Sequence, residues 1–204
     1  MKLYYSPGAC SLSPHIVLHE LGLPHEVVMV DLKTKQTSDG RDFRAINPKG
    51  YVPTLQLDDG TILTEGPAIV QYLADRKPEA GLAPANGTLP RYQLQEWLNF
   101  ISTELHKQFS PLFNPASSAE VIAAQKARLA DRYALIAQTL DRQDYLLPSG
   151  FSVADAYLYT VTTWAAYVGV DLSPWPSLAR YKARMEARPG VAATLAAERE
   201  AKKT

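Results

Sequence analysis

The chain has 204 residues, 21 Lys and Arg against 21 Asp and Glu, a formal net charge of zero, and 46% hydrophobic residues. This is the makeup of a globular protein of one or two domains with enough chain for a sizeable core, and the charge balance excludes a general binder of nucleic acid or other polyanions. A single cysteine, Cys10, excludes an intrachain disulfide framework and a multi-cysteine metal cluster and fits a reducing compartment, and no apolar run reaches the roughly 18 residues of a membrane span.

Met1 leads straight into the first predicted strand, which leaves no room for a signal peptide, so a cytoplasmic location is expected. Lys2-Leu3-Tyr4-Tyr5 is a short aromatic and aliphatic run suited to a strand. Ser6-Pro7-Gly8-Ala9 is a turn. From Leu12 the apolar residues Leu12, Ile16, Val17 and Leu21 recur at helical spacing until Gly22 supplies a stop, with Ser11 or Ser13 as the cap and Pro14 in the first turn. Cys10 therefore sits at the mouth of a helix N-terminus, where the free N–H groups and dipole favour a thiolate. On position alone, a reactive thiol and an inert small buried residue are equally open.

Glu26 to Val30 is β-branched and apolar and reads as a buried strand, which makes a βαβ unit with parallel strands. Asp31 to Gly40 reads as a mobile polar loop, and Arg41 to Asn47 as a short helix ended by Pro48. Leu55 and Leu57 alternate with Gln56, Asp59-Gly60 is a hairpin turn, and Thr61-Ile62-Leu63 returns as an antiparallel partner. Glu65 to Arg76 is amphipathic. Lys77 to Pro90, with three prolines and two glycines, reads as a linker. Helices are predicted over Arg91–Phe113, Ala119–Leu140, Phe151–Val168 (mostly apolar and therefore central), Pro176–Arg188 and Val191–Glu200, with Pro189-Gly190 as the last break and Lys202-Lys203 as a polar end. Ser152 and Asp155 form a capping box, a folding feature rather than a chemical one.

Four stretches carry a resemblance that covers the whole chain: Tyr5–Ser13 (YSPGACSLS), Asn47–Pro53 (NPKGYVP), Thr64–Ile69 (TEGPAI) and Phe151–Ala156 (FSVADA). In this order and spacing they resemble the cytosolic glutathione transferases. The first stretch, with Glu104-Leu105-His106-Lys107, resembles the bacterial beta class, which has a cysteine where other classes use tyrosine or serine. The resemblance implies an α/β thioredoxin-like N-terminal domain (βαβ-ββα, residues 1–77), a linker at 78–90, and an all-α C-terminal helical domain at 91–204. It implies glutathione as co-substrate, no metal, and a homodimer.

It also implies site residues. The peptide before Pro53 would be cis, and the Val52 backbone would pair with the cysteinyl backbone of glutathione as an added strand. Glu65 would accept from the γ-glutamyl ammonium, with Gly66 letting the ligand approach a helix start; many relatives carry Ser at position 66. Ala9, Cys10, Lys35 and Tyr51 complete that set. His106 would bond to Cys10 or to the substrate thiol, Lys107 would add positive field, and Asn99 and Thr103 would reach the neighbouring subunit's γ-glutamyl site, although relatives often have an acidic residue near 103. Cys10, His106 and Ser11 are the catalytic candidates. Phe109, Phe113, Tyr157 and Trp164, with Tyr167, would wall an apolar pocket for an electrophile. The implied activity is conjugation of the glutathione thiolate to small hydrophobic electrophiles, with thiol–disulfide exchange through Cys10 as a second activity; the alternative is a non-catalytic binding or regulatory protein of the same fold.

Overall fold

A computed structural model describes residues 1–202, so Lys203 of the polar end lies outside the described residues. Its contacts divide the chain into two compact units, Met1–Ala83 with Ala187–Thr204, and Pro84–Glu186.

The first unit is a four-stranded mixed sheet with helices. Its strands are β1 (Lys2–Tyr5), β2 (Glu26–Met29), β3 (Thr54–Gln56) and β4 (Ile62–Thr64), in the order β2-β1-β3-β4. β1 and β2 are parallel, as the βαβ reading requires, with Tyr4 opposite Val28. β1–β3 and β3–β4 are antiparallel. This is the thioredoxin-like arrangement. The sequence reading differs at β2, which is an edge strand with Glu26 and Val27 exposed rather than a buried one: one apolar face suffices to produce a β-branched run.

Three helices of this unit follow the sequence closely. α1 (Leu12–Leu21) ends on Gly22 at φ +61, the left-handed conformation that glycine takes without a Cβ penalty. α2 (Phe43–Ile46) is capped by Asp42, whose carboxylate accepts from the Arg44 N–H at 2.9 Å. α3 (Gly66–Asp75) packs Ile69, Val70 and Leu73 inward. Asp31 to Gly40 is tied down rather than mobile. The Asp31 carboxylate accepts from the N–H groups of Lys33 and Thr34, and the buried Thr37 hydroxyl pairs with Asp39 and the Arg41 backbone.

The second unit is helical. It holds α4 (Leu89–Phe100), a π turn at Ile101–His106, α5 (Lys107–Phe113), α6 (Ala119–Leu140), α7 (Val153–Thr163), α8 (Ala165–Val168) and α9 (Pro176–Glu186). The π turn interrupts what the sequence presents as one helix from Arg91 to Phe113. α7 is the central helix, with every residue from Val153 to Thr162 buried. The Asp155 carboxylate reaches back to the Ser152 N–H at 2.9 Å and hydroxyl at 2.8 Å, and also accepts from the Leu146 N–H at 2.9 Å. Burial pushes its pKa up to about 6 against these bonds.

The last helix, α10 (Pro189–Ala201), belongs to the first unit and packs on α1. Pro189-Gly190 is not the expected break but the first turn of this helix. A Cβ at position 190 would stand 2.7 Å from the Glu20 side chain, which Arg188 holds through bonds of 3.1 and 2.7 Å. Gly190 serves close helix packing.

Candidate functional site

Cys10 is placed by the turn after β1. Ala9 N–H donates to the Ser6 carbonyl at 3.0 Å, and Gly8 takes φ +77. Ser11 secures the turn: its hydroxyl accepts from the Ser6 N–H at 3.0 Å and donates to the Ser6 carbonyl at 3.1 Å, and the residue is 0% exposed. Ser11 is thus a buried staple of the turn that carries Cys10. It also does not cap α1 through its side chain, and neither does Ser13, whose buried hydroxyl has no partner. Below the turn, Ala9 packs on a cluster that includes Tyr4, Phe43 and Val52. Cys10 is half-buried, and its Sγ donates to the Val52 carbonyl at 3.1 Å.

The strand-entry loop is held by Asn47. This buried side chain donates from Nδ2 to the Tyr51 carbonyl and the Thr54 hydroxyl, both at 2.9 Å, and accepts the Lys49 N–H at 3.1 Å. The Val52–Pro53 peptide is cis. Tyr51 projects outward, 70% exposed, with the Lys35 ammonium 5.8 Å from its ring centroid. Glu65 precedes α3, its carboxylate 2.7 Å from the Lys49 ammonium, which also donates to the Thr64 hydroxyl at 3.0 Å. Gly66 opens α3 with Pro53 alongside.

Backbone strain marks the same neighbourhood. Among the described residues, Lys35 (φ +61) and Glu65 (φ +70) are the non-glycine residues at positive φ. Such outliers cost on the order of 1–3 kcal/mol and concentrate at functional sites. Both belong to the glutathione-binding set that the resemblance implies.

The remaining candidates lie in the helical unit. The π turn carries Thr103 and His106, with Asn99 just before it and Lys107 just after; π turns within helices are frequent at functional sites. His106 Nδ1 lies 2.6 Å from the Tyr157 hydroxyl. Its ring stands edge-on to Trp164, centroids 4.9 Å apart. Trp164 in turn meets Phe109 at 5.6 Å and Phe113 at 5.7 Å, both edge-on. The structure thus gathers the four predicted pocket aromatics and His106 into one cluster, in which Phe109 and Tyr157 are buried packing and Phe113 is half open to solvent. Tyr167 is outside it in these ring contacts and is 76% exposed. Asn99, Thr103 and Lys107 are exposed. The Thr103 hydroxyl is turned back to the Asn99 carbonyl at 3.0 Å.

Three contributors went unassigned in the sequence reading. Asn47 and Lys49 lie inside a quoted motif, and their signal was that motif. Glu198 had none: from α10 its carboxylate accepts the Gly8 N–H at 2.8 Å and pairs with His15 Nδ1 at 2.9 Å, so it supports the Cys10 turn from 190 residues away. Burial and Glu198 raise the neighbouring Tyr5 phenol pKa, so the hydroxyl keeps its proton.

The chain matches two protein-family models, glutathione S-transferase N-terminal domain over residues 8–76 and glutathione S-transferase C-terminal domain over residues 100–189. It is 46% identical over 198 residues to glutathione S-transferase GstA of Escherichia coli O157:H7, covering 97% of this chain and 98% of that one. Two solved structures are similar at TM-score 0.94 and cover 97% of this chain and 98% of theirs: a sphingomonad glutathione S-transferase complexed with glutathione, at 48% identity, and a bacterial beta class glutathione S-transferase from Sphingomonas chungbukensis, at 47%. The chain belongs to the glutathione S-transferase family, with its likeness to the bacterial beta class.

Proposed function

We propose that this glutathione transferase conjugates the thiol of glutathione to small hydrophobic electrophiles. The observation that carries the reading is the Cys10 Sγ bonded at 3.1 Å to the carbonyl of Val52, next to Pro53 and the strained Glu65. A tripeptide whose cysteinyl backbone pairs with Val52 brings its own sulfur to this spot. Its ammonium then competes with Lys49 for Glu65, and its carboxylate finds the N–H groups at the start of α3. The peptide thiol loses its proton, the thiolate attacks an electrophilic carbon, a C–S bond forms, and the leaving group departs with its electron pair. The aromatic cluster around Trp164 supplies apolar surface for the electrophile, and His106 is its polar member, suited to hold a thiol or thiolate. Lys35, Tyr51, Asn99, Thr103 and Lys107 are the remaining proposed contacts, and the working unit is a homodimer.

A second reading rests on the same 3.1 Å contact. A protein thiol so close to the cysteinyl binding position exchanges with a mixed disulfide between glutathione and another thiol: the Cys10 thiolate attacks the glutathionyl sulfur, a Cys10–glutathione disulfide forms, and the other thiolate leaves, so that glutathione disulfide is the final oxidised product. A second glutathione then resolves it.

Replacing Cys10 by Ala separates the two. Retained conjugation of an aryl halide with lost reduction of a glutathione mixed disulfide assigns Cys10 to exchange alone. Intact mass of the purified protein before and after reductant shows whether one glutathione is carried on Cys10. Failure of the folded protein to bind immobilised glutathione sinks both readings in favour of a non-catalytic family member.

A further inference from the structure

The chain has four histidines. One is His106; the other three, His15, His19 and His25, stand together on the first unit, and neither conjugation nor exchange uses them. We propose that His15, His19 and His25 form a binding site for a divalent transition-metal ion of the zinc class.

The geometry starts from sequence spacing. His15 and His19 are four residues apart on α1 and so share a face. His25 follows the Gly22 cap on the segment entering β2 and folds back over them. The ring centroids lie 5.1 Å (15–19), 5.2 Å (19–25) and 5.8 Å (15–25) apart. One nitrogen of each ring lies within 4.8 Å of the others. Three imidazole nitrogens on one tetrahedral ion, each about 2.0–2.1 Å from it, stand about 3.4 Å apart. Closing that difference takes small side-chain rotations of His19 and His25, which are only partly buried, against a His15 that is fixed at 2% exposure.

The surrounding hydrogen bonds prepare the rings for a metal. His15 Nδ1 meets Glu198 Oε1 at 2.9 Å, and His25 Nδ1 meets the Leu23 carbonyl at 2.8 Å. A carboxylate and a carbonyl only accept, so in the neutral ring both Nδ1 atoms carry the proton and both lone pairs sit on Nε2. Metal-ligating histidines are oriented in this way, by a carboxylate or a backbone carbonyl on the second nitrogen. An all-imidazole set suits zinc, nickel or copper and offers nothing to calcium or magnesium, which take oxygen. Three protein ligands with two of them near the surface leave the fourth position to water.

The test is calorimetric titration of the full chain, freed of any histidine tag and stripped with chelator, with zinc chloride at neutral pH. One zinc per chain is expected for the native sequence and for Cys10→Ser, with at least tenfold weaker binding in both His19→Ala and His25→Ala. Circular dichroism checks that each variant is folded, and His19→Gln and His25→Gln replace any that is not. Cobalt in place of zinc should give the visible bands of a tetrahedral nitrogen-ligated ion without a sulfur charge-transfer band. No binding by the native chain, undiminished binding in either histidine variant, loss in Cys10→Ser, or a sulfur band overturns the site.

Discussion

At the scale of single residues, the candidate glutathione site depends on side chains that hold backbone rather than on side chains that react. Asn47 fixes the loop carrying Val52, and Ser11 fixes the turn carrying Cys10. Glu65 is different, because its carboxylate meets only an exposed lysine in this structure. An exposed pair of that kind contributes about 0–1 kcal/mol to stability, which does not offset the strain of the positive φ at Glu65, and the role proposed for Glu65 is to bind the glutathione ammonium. Glu65→Gln should therefore weaken glutathione binding about tenfold, a loss of about 1.4 kcal/mol, and leave the melting temperature nearly unchanged. Calorimetry and a thermal melt on the same preparation decide this, and an equal affinity with a lowered melting point would make Glu65 structural. The candidate residues of this site came from the resemblance that a few short stretches carry; local turn and helix-start chemistry placed Cys10 ahead of a helix and Pro53 before a strand but left their roles open. The bonds Ser11 makes to the Ser6 backbone were not legible, because a hydroxyl beside a thiol reads alike whether it faces ligand or backbone.

At the scale of elements, periodicity located nearly every helix and strand, and the exceptions share a cause. The edge position of β2, the π turn at Ile101–His106 and the assignment of Pro189-Gly190 to the start of α10 are all set by what an element packs against. An apolar repeat states that a face is covered without stating by what. The buried start of α7 was legible because its cap is local, and it yields a pH prediction. With its pKa raised by burial to about 6 from 3.8, Asp155 takes up a proton in the folded state at a pH where the unfolded chain has already lost it. Its favourable contribution is complete below about pH 4 and is lost as pH rises through about 6, a change of about 3 kcal/mol. The exposed Asp31, Asp39, Asp59 and Asp171 have lowered pKa values through their hydrogen bonds, so their contributions are lost only as pH falls below that window. Stability of the native chain relative to Asp155→Asn should thus fall between pH 4 and 6 in urea unfolding. A difference flat across that window would mean that the three donors around the carboxylate outweigh its burial.

At the scale of the whole molecule, the chain leaves its first unit at Ala83 and returns at Ala187, and the returning helix carries one buried carboxylate to the turn that holds Cys10. No local pattern announces this, because Glu198 reads as one more polar residue near a helix end, yet it is 4% exposed and serves both the Gly8 N–H and His15 Nδ1. Two substitutions separate hydrogen bonding from charge at this joint. Glu198→Ala removes the acceptor from a partly buried N–H and a buried imidazole and opens space around them, which should cost about 2–4 kcal/mol. Glu198→Gln keeps one acceptor for Gly8 and turns an amide N–H toward His15, and the imidazole meets it by moving its proton from Nδ1 to Nε2. The glutamine variant should therefore lose less than about 1.5 kcal/mol, with the tautomer change visible in the nitrogen shifts of His15. If the glutamine chain is instead as unstable as the alanine one, the joint is an ion pair with a protonated His15. Breaking a buried ion pair on one side costs about 3–5 kcal/mol whatever the shape of the replacement, and that result would put a buried charge, rather than a neutral hydrogen-bond relay, between α10 and the turn that carries Cys10.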